Sequence, residues 1–386
     1  MIRLIKSTFY NEQDTKEQLC DFISNAKILS MGKYCSQFEN NFSKFQDRTY
    51  SVFFNSGSSA NLAIIQSLLN LGKLNKGDKI GFSALTWSTN VMPIIQLGLI
   101  PVPIDVELDT LNISSELLTE SLKYNNIKAL FITNLLGFSG NLIKINKICT
   151  DNNILFLEDN CESFGSKIGT TLLGNFGFAS SFSFFVGHHM STIEGGMVCT
   201  NDKEMYNHLK MVRAHGWGRN LDDESKSELA KQHNVNEFYS FYSFYTLGYN
   251  LRPTEINGFI GINQLKYMPE IFKKRNDNYI KFKSATKQNE NIIQLNHDYM
   301  SFISNFSFPM VFKNNEQCNK YKQKFKDNNI EIRPIVGGCI PEQPFFKGFA
   351  DINCPNAKKI HELGFYIPNN PELTIDEVSL MTSLLS

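Results

Sequence analysis

The chain of 386 residues has no excess of charge: 38 Lys and Arg stand against 38 Asp and Glu. Nucleic-acid binders ordinarily carry a basic bias, so that class starts at a disadvantage. No run reaches the roughly 18 apolar residues of a membrane span, so none is expected. The eight cysteines include no C-x-C or C-x-x-C pair. A zinc ribbon or a locally ligated iron–sulfur cluster is therefore unsupported, and no His-x-x-x-His or His-plus-Cys spacing argues for another metal. Scattered thiols fit a reducing compartment, where they serve as small buried apolar groups, and a cytoplasmic protein is expected. The first residues run quickly into the polar stretch 11–16, without an apolar core or cleavage site, so no secretion signal is expected. Internal repeats and low-complexity linkers are also missing.

Apolar residues make up 42 % of the chain, enough for a sizeable core, and the length predicts two domains. Residues 51–54 read as a strand that ends in the turn Asn55-Ser56-Gly57. Residues 58–71 then read as a helix, with Gly72 placed to end it. Further strands are predicted over 79–82, 100–104, 129–133, 154–157, 180–185 and 197–200, with helices near 89–97 and 142–151. Pro101 and Pro103 put the 100–104 strand near an edge or make it short. Such alternation predicts βαβ units and a mostly parallel sheet with helices on both faces. The pattern changes after about residue 240. An aromatic-rich segment, 238–245, leads to Gly248-Tyr249-Asn250 and one long helical stretch from Pro253 towards Ile280. Strands are predicted over 305–312 and 330–334, and a terminal helix over 375–385. The expected boundary lies near residue 247, giving units of 1–247 and 248–386.

Three segments carry chemistry. Asn55-Ser56-Gly57-Ser58-Ser59-Ala60 joins a strand to a helix, and a tight Gly turn before a helix N-terminus suits a phosphate. The plainer reading is a Ser-capped strand–turn–helix. Glu158-Asp159 ends a strand where α/β sheets bind ligands; a carboxylate there can hold a pyridinium nitrogen, or simply cap the next helix. Ser183-Phe184-Phe185-Val186-Gly187-His188-His189 closes a β run with two imidazoles before Glu194-Gly195-Gly196. An imidazole of pKa about 6.5 both takes and gives protons near neutrality, and of two adjacent histidines at most one is expected to face a given site.

In order along the chain, these segments resemble the DegT/DnrJ/StrS family of fold-type I, pyridoxal-phosphate-dependent sugar aminotransferases. The series runs from Gly32 and Phe38-Glu39 through the 55–60 turn, Pro103-Ile104-Asp105 and residues 109–113. It continues with Glu158-Asp159, Glu162 and Gly165, then Ser183-Phe184-Phe185, Glu194-Gly195-Gly196, Gly248-Tyr249-Asn250-Leu251-Arg252 and Gln264-Leu265. The resemblance implies an α/β, aspartate-aminotransferase-like fold: a large cofactor-binding domain and a smaller α+β C-terminal domain. It implies that Asp159 pairs with the pyridine nitrogen and that Gly57, Ser58 and Ser183 hold the phosphate. Trp87 is implied over the cofactor ring, and Glu162, where many members carry Gln, near the ring hydroxyl. The family's sites lie at a dimer interface, so a homodimer is implied, with Asn250 reaching the phosphate of the other subunit.

The departure is at His188, where aminotransferases of the family carry Lys. Imidazole forms no stable Schiff base, so the cofactor is expected to be held without a covalent bond. This substitution resembles the family's dehydratase branch, and the Ser-Phe-Phe-Val-Gly-His-His run is similar to that of its members, a resemblance that implies GDP-4-keto-6-deoxy-D-mannose as substrate. His188 is then expected to take a proton from the methylene carbon of pyridoxamine phosphate as the sugar's C-3 hydroxyl leaves as water. Ammonia is released, and L-glutamate restores the amine form of the cofactor. His215 is a candidate for lining the sugar site. Arg219, Arg252 and Arg333 are candidates for substrate phosphates or glutamate carboxylates, since bidentate anion binding favours Arg. Three other readings compete. One is an iron–sulfur dehydratase of CDP-linked sugars, disfavoured because the close cysteine pair is missing. The second is a non-catalytic cofactor-binding relative. The third is a plain aminotransferase, which needs a lysine from elsewhere.

Overall fold

The computed structural model describes residues 1–350 and 352–386. The strands are β1 (Tyr50–Phe54), β2 (Lys79–Ser83), β3 (Ile100–Ile104), β4 (Ile127–Thr133), β5 (Leu155–Asp159), β6 (Lys167–Ile168), β7 (Thr171–Leu172), β8 (Ala179–Ser183), β9 (Gly196–Thr200), β10 (Ser307–Val311), β11 (Arg333–Pro334) and β12 (Gly364–Pro368). Seven of them form the main sheet in the order β1-β9-β8-β5-β4-β2-β3. Neighbours pair in parallel except around β9, which runs antiparallel to both β1 and β8. The class is therefore α/β with a mostly parallel sheet, as expected.

Both faces of this sheet are covered, so its strands read as near-continuous apolar runs. Side chains still alternate along each strand. Val52, Phe54, Ile80, Phe82 and Phe131 point to a core shared with the helices Gly57–Asn70, Ser88–Gln96 and Lys203–Arg213. Leu130, Ile132 and Phe156 point the other way, towards the helices Ser115–Leu122 and Leu142–Asp151. The proline-bearing β3 is an edge strand, paired only with β2, where missing N–H donors cost least.

Two of the motif positions, Gly32 and Glu39, serve the framework. Glu255 accepts N–H bonds from Gly32, Tyr34 and Cys35 at 2.9–3.0 Å. Glu39 accepts from the N–H of Phe53 at 2.8 Å and is ion-paired with the buried Arg213.

Three expectations need correction. The stretch from Pro253 towards Ile280 is two helices, Glu255–Leu265 and Met268–Thr286, broken at Lys266-Tyr267. Pro269 sits in the first turn of the second helix, where a missing N–H is harmless and continuation of the first is blocked. Of residues 330–334, only Arg333–Pro334 joins the small sheet; Ile330 bridges to Ile2 instead. The 180–185 strand ends at Ser183, because Phe185 and His188 close a turn, His188 N–H to Phe185 carbonyl at 2.8 Å.

The small sheet, β10-β12-β11, is antiparallel and is covered by the helices Asn315–Asp327, Pro355–Leu363 and Ile375–Leu385. Its core is continuous with one face of the main sheet. The helix Glu255–Leu265 packs on the helix Lys33–Phe45 beside β1. Among the described residues, no helix is long and apolar enough to cross a membrane.

Candidate functional site

The carboxyl ends of five strands open onto one pocket of about 480 Å3. Ser56 and Gly57 follow β1, Trp87 follows β2, and Thr133, Asp159 and Ser183 end β4, β5 and β8. This is where an open α/β sheet binds its ligand. A larger groove of about 970 Å3 lies along the helix Glu12–Asn25, lined by Asp14, Glu17 and Asp21. Apart from Gly32, it holds none of the groups that the sequence picks out.

One end of the pocket is made for an anion. Ser56 caps the helix Gly57–Asn70, its hydroxyl accepting from the Ser59 N–H at 3.0 Å. The remaining N–H groups of the first turn and the helix dipole favour negative charge. A Cβ on Gly57 would meet the Cβ of Ser183 at 2.5 Å, so glycine is needed for the two segments to close round that end.

Asp159 sits deeper and is buried. Its Oδ2 accepts from the Asn61 amide at 2.8 Å and its Oδ1 from the Cys161 N–H at 3.0 Å. The Ser181 hydroxyl donates to the Asn61 carbonyl oxygen and fixes the amide's orientation. Among the described residues, no Lys, Arg or His pairs with Asp159. A buried carboxylate in that state calls for a donor from a ligand.

Glu162 is also buried and accepts from the Leu136 N–H at 2.9 Å. Burial pushes its pKa up to about 8; the Leu136 N–H opposes this and the Asp159 charge adds to it. At neutral pH it is a carboxylic acid and can donate a hydrogen bond.

His188 presents its ring to the pocket, edge-on between Phe185 and Phe306 with centroids 6.1 and 5.4 Å away. Burial lowers its pKa to about 4, the Ser183 carbonyl opposing and the charge of Arg275 adding. With its pKa below the ordinary 6.5 from which the sequence argument starts, the imidazole is neutral across physiological pH: it is ready to accept a proton, but is a weaker base than a free imidazole. His189 turns away from the pocket, its Nε2 bound to the Ser304 carbonyl at 2.8 Å.

Of the sequence-derived residues, Gly57, Ser58, Trp87, Asp159, Glu162, Ser183, His188 and Arg333 share this pocket. Trp87 is 55 % exposed, an unusual position for indole unless something covers it. Arg333 is held by the Glu331 carboxylate at 2.7 Å. Asn250, Arg219 and Arg252 line a separate cleft of about 450 Å3, where Arg252 donates to the Asn250 side chain at 2.9 Å. His215 is exposed, at a left-handed φ of 63°, outside both. Sequence reasoning missed Asn61, Arg275, Phe306 and Tyr366. An asparagine set among Ala60, Leu62, Ala63 and Ile64 of the helix was the available signal for Asn61.

These groups fit pyridoxal or pyridoxamine phosphate. They comprise an anion-binding helix start closed by Gly57, a buried carboxylate lacking a cation, a neutral acid beside it and an unprotonated imidazole where a lysine would stand. Residues 10–385 match the DegT/DnrJ/EryC1/StrS aminotransferase family, and the chain belongs to that family. It is 34 % identical over 378 residues, 96 % of this chain and 97 % of the relative, to GDP-4-keto-6-deoxy-D-mannose 3-dehydratase of Escherichia coli O55:H7. It resembles a solved structure of a His-to-Asn variant of GDP-4-keto-6-deoxymannose-3-dehydratase with bound GDP-perosamine (TM-score 0.90, 33 % identity, 100 % of both chains). It also resembles the same enzyme with a trapped PLP-glutamate geminal diamine (TM-score 0.90, 32 % identity, 100 % of both chains).

Proposed function

We propose that this chain is a pyridoxamine/pyridoxal phosphate-dependent sugar 3-dehydratase. Its substrate on this reading is GDP-4-keto-6-deoxy-D-mannose, and its role is in making deoxysugars for a surface polysaccharide. The observation that carries the reading is His188 facing the pocket in place of the family's lysine, with the groups for phosphate and ring nitrogen retained around it.

When bound, the cofactor would supply an amino group for the sugar's 4-keto carbon and the electron pair, released at its own methylene carbon and carried through its ring, that expels the C-3 hydroxyl from the sugar. The first-turn N–H groups of the helix Gly57–Asn70, with the Ser58 and Ser183 hydroxyls, hold its phosphate. Asp159, aligned by Asn61, accepts from its ring N–H. Glu162 keeps the donor that Gln gives other members, because its carboxyl is protonated. Trp87 covers the open side. His188 takes a proton at the cofactor's methylene carbon and returns one to the C-3 hydroxyl, which leaves as water. In the second half-reaction the same imidazole takes the Cα proton of L-glutamate. The imidazole at position 188 forms no Schiff base with the cofactor, so it stays free to move both protons.

The reading includes a homodimer. Asn250, Arg219 and Arg252 lie off the pocket of their own chain, which suits delivery to a second copy. Next to them Phe238, Tyr239, Phe241, Tyr242, Phe244 and Leu247 expose apolar surface that a second copy would cover. The eight free thiols fit a cytoplasmic location.

The test is an ammonia assay with pyridoxamine phosphate, L-glutamate and GDP-4-keto-6-deoxy-D-mannose. Ammonia and 2-oxoglutarate from the parent, lost in His188→Asn, is the expected result. Glutamate consumed without ammonia would mean transamination of the sugar. Tight cofactor binding without turnover would leave a non-catalytic protein.

A further inference from the structure

We infer, on the substrate reading given above, that Val336 reads the C-6 methyl group of the sugar, and that its strained backbone is kept to place an apolar side chain there.

Among the described residues with a left-handed backbone, two are β-branched: Ile193, at φ 73°, and Val336, at φ 48°. Branching at Cβ makes such a φ costly, and the residues that adopt it are ordinarily Gly, Asn or Asp. Val336 is the one of the two that lines the cofactor pocket. Strain of this kind gathers at ligand sites, where the surrounding structure holds it in place.

Val336 is held from both sides. Ile335 before it is fully buried. The Gly338 N–H donates to the Ile335 carbonyl at 2.9 Å and closes a turn with Val336 and Gly337 at its centre. Gly337 is wedged against the segment after β2: a Cβ there would lie 2.3 Å from the Thr86 carbonyl oxygen and 3.3 Å from Cα of Trp87. The Gln343 amide donates to the Gly337 carbonyl at 2.8 Å, and the Ile340 N–H to the Ala84 carbonyl at 2.8 Å. A positive φ at Val336 but not at Gly337 matches a type II′ turn, whose first central position is the glycine position. The chain has glycine at 337 and 338, and valine at the place where glycine would remove the strain. A turn needed only for its shape is better served by glycine at 336, so valine there points to a contact made by its side chain.

The pocket decides what that contact is. On the reading above, Gly57, Ser58 and Ser183 hold the cofactor's phosphate, Asp159 its ring, and His188 faces its reacting carbon. Val336 stands on the side left for the substrate, with the apolar Leu4, Ile5 and Pro334. The polar side chains Arg333 and Tyr366 of that side are cross-strand neighbours on β11 and β12, before the turn begins. The methylenes of L-glutamate lead to a carboxylate, and C-2 and C-3 of the hexose carry hydroxyls. The C-6 methyl is the one group that has no polar atom on it or beyond it, and an isopropyl side chain favours its burial. A hydroxyl at C-6 would be brought against valine without a partner.

The test measures binding to the full-length protein in its pyridoxal phosphate form, by the absorbance of the cofactor. The two ligands differ only at C-6: GDP-4-amino-4,6-dideoxy-D-mannose has a methyl group and GDP-4-amino-4-deoxy-D-mannose a hydroxymethyl group. An apolar contact rejects an added hydroxyl by at most about a hundredfold, so the parent should prefer the methyl compound by about ten- to a hundredfold. Val336→Gly removes side chain and strain together, and should cut that preference to about threefold or less through weaker binding of the methyl compound. Val336→Thr keeps the shape and exchanges a methyl for a hydroxyl, and should cut it through tighter binding of the hydroxymethyl compound. In both variants pyridoxal phosphate should bind within about twofold of the parent, and the thermal midpoint of cofactor-free Val336→Gly should not fall, because glycine accepts this φ. An unchanged preference in the variants overturns the inference. So does weaker binding of pyridoxal phosphate, which would assign Val336 to the cofactor, or a lower midpoint with glycine, which would make the side chain structural. Binding of neither compound removes the substrate reading and this inference together. No turnover is needed, so a methyl preference in a protein that releases no ammonia upholds the inference while the dehydratase reading fails, and equal binding of the two compounds with ammonia released does the reverse.

Discussion

Asn61 and Asp159 are joined side chain to side chain, 2.8 Å apart, although one lies on a helix and the other ends a strand. The Ser181 hydroxyl completes the chain of bonds from the other side. A carboxylate set up in this way points into the pocket with little freedom. Asn61→Leu should leave both Asp159 and Ser181 short of a buried partner, at about 1–3 kcal/mol. The expected outcome is weaker cofactor binding by about tenfold, read by absorbance titration, with the far-ultraviolet circular dichroism unchanged.

Gly57→Ala forces a methyl against Ser183. Overpacking at such a point costs about 1–3 kcal/mol. The thermal midpoint of the cofactor-free protein should fall, and the dissociation constant for pyridoxal phosphate should rise more than that for pyridoxal, because the clash sits at the phosphate end. Equal effects on the two ligands would place the phosphate elsewhere.

Glu162 makes the protein's stability depend on alkaline pH. Its folded pKa of about 8 lies above the ordinary 4.5, so between these values the folded chain holds a proton that the unfolded chain has lost. The stability it contributes is complete below pH 4.5 and falls as pH rises towards 8. In cofactor-free protein, Glu162→Gln should therefore raise the thermal midpoint at pH 8 by more than at pH 4.5. A pH-independent difference would count against a buried neutral acid.

On the acid side the sign reverses. His188 and His297 have folded pKa values of about 4 against 6.5 unfolded. The unfolded chain binds protons first, so stability is lost as pH falls from 6.5 to 4. His297 is stacked on Phe138 with ring centroids 4.0 Å apart and bound to the Thr110 carbonyl at 2.9 Å, so protonation there has no outlet. Urea midpoints measured across that range should shift steadily downwards, and less so in His188→Asn.

The exposed aromatic segment predicts association. Phe241→Asp with Tyr242→Asp should lower the mass measured by sedimentation from two chains to one and reduce turnover by at least about tenfold, with pyridoxal phosphate still bound. Full activity in a monomer would remove the need for a second copy.

Much of the main sheet was legible because its strands are buried on both faces and their turns carry glycine or capping residues. The 55–60 turn, Asp159 and His188 were legible because each lies at or just beyond the carboxyl end of a strand, at the edge where such sheets bind ligands. Arg275 was not. It stands beside Lys273 and Lys274, and nothing local says which of three cations in a helical run is buried. The break at Lys266-Tyr267 was hidden because both flanking segments are helical, so only Pro269 marked it. Leu4 and Ile5 reach the pocket through the pairing of the N-terminal segment with residues 329–331, a contact that local pattern cannot reveal. The lowered pKa of His188 is likewise a property of the packed surroundings.

The position of β9 bears on how the molecule is made. β1 pairs only with β9, whose residues lie some 150 positions later in the chain. At about 5–20 residues per second of synthesis, β1 waits roughly 7–30 s on the ribosome for its partner. During that interval Val52, Phe53 and Phe54 have no sheet to enter, and the turn at Gly57 has no Ser183 to close against. The anion site is therefore assembled after translation has passed residue 200. The nascent segment before that point is the one that calls for shielding by a chaperone, and slow codons beyond residue 200 would do less harm than slow codons before it.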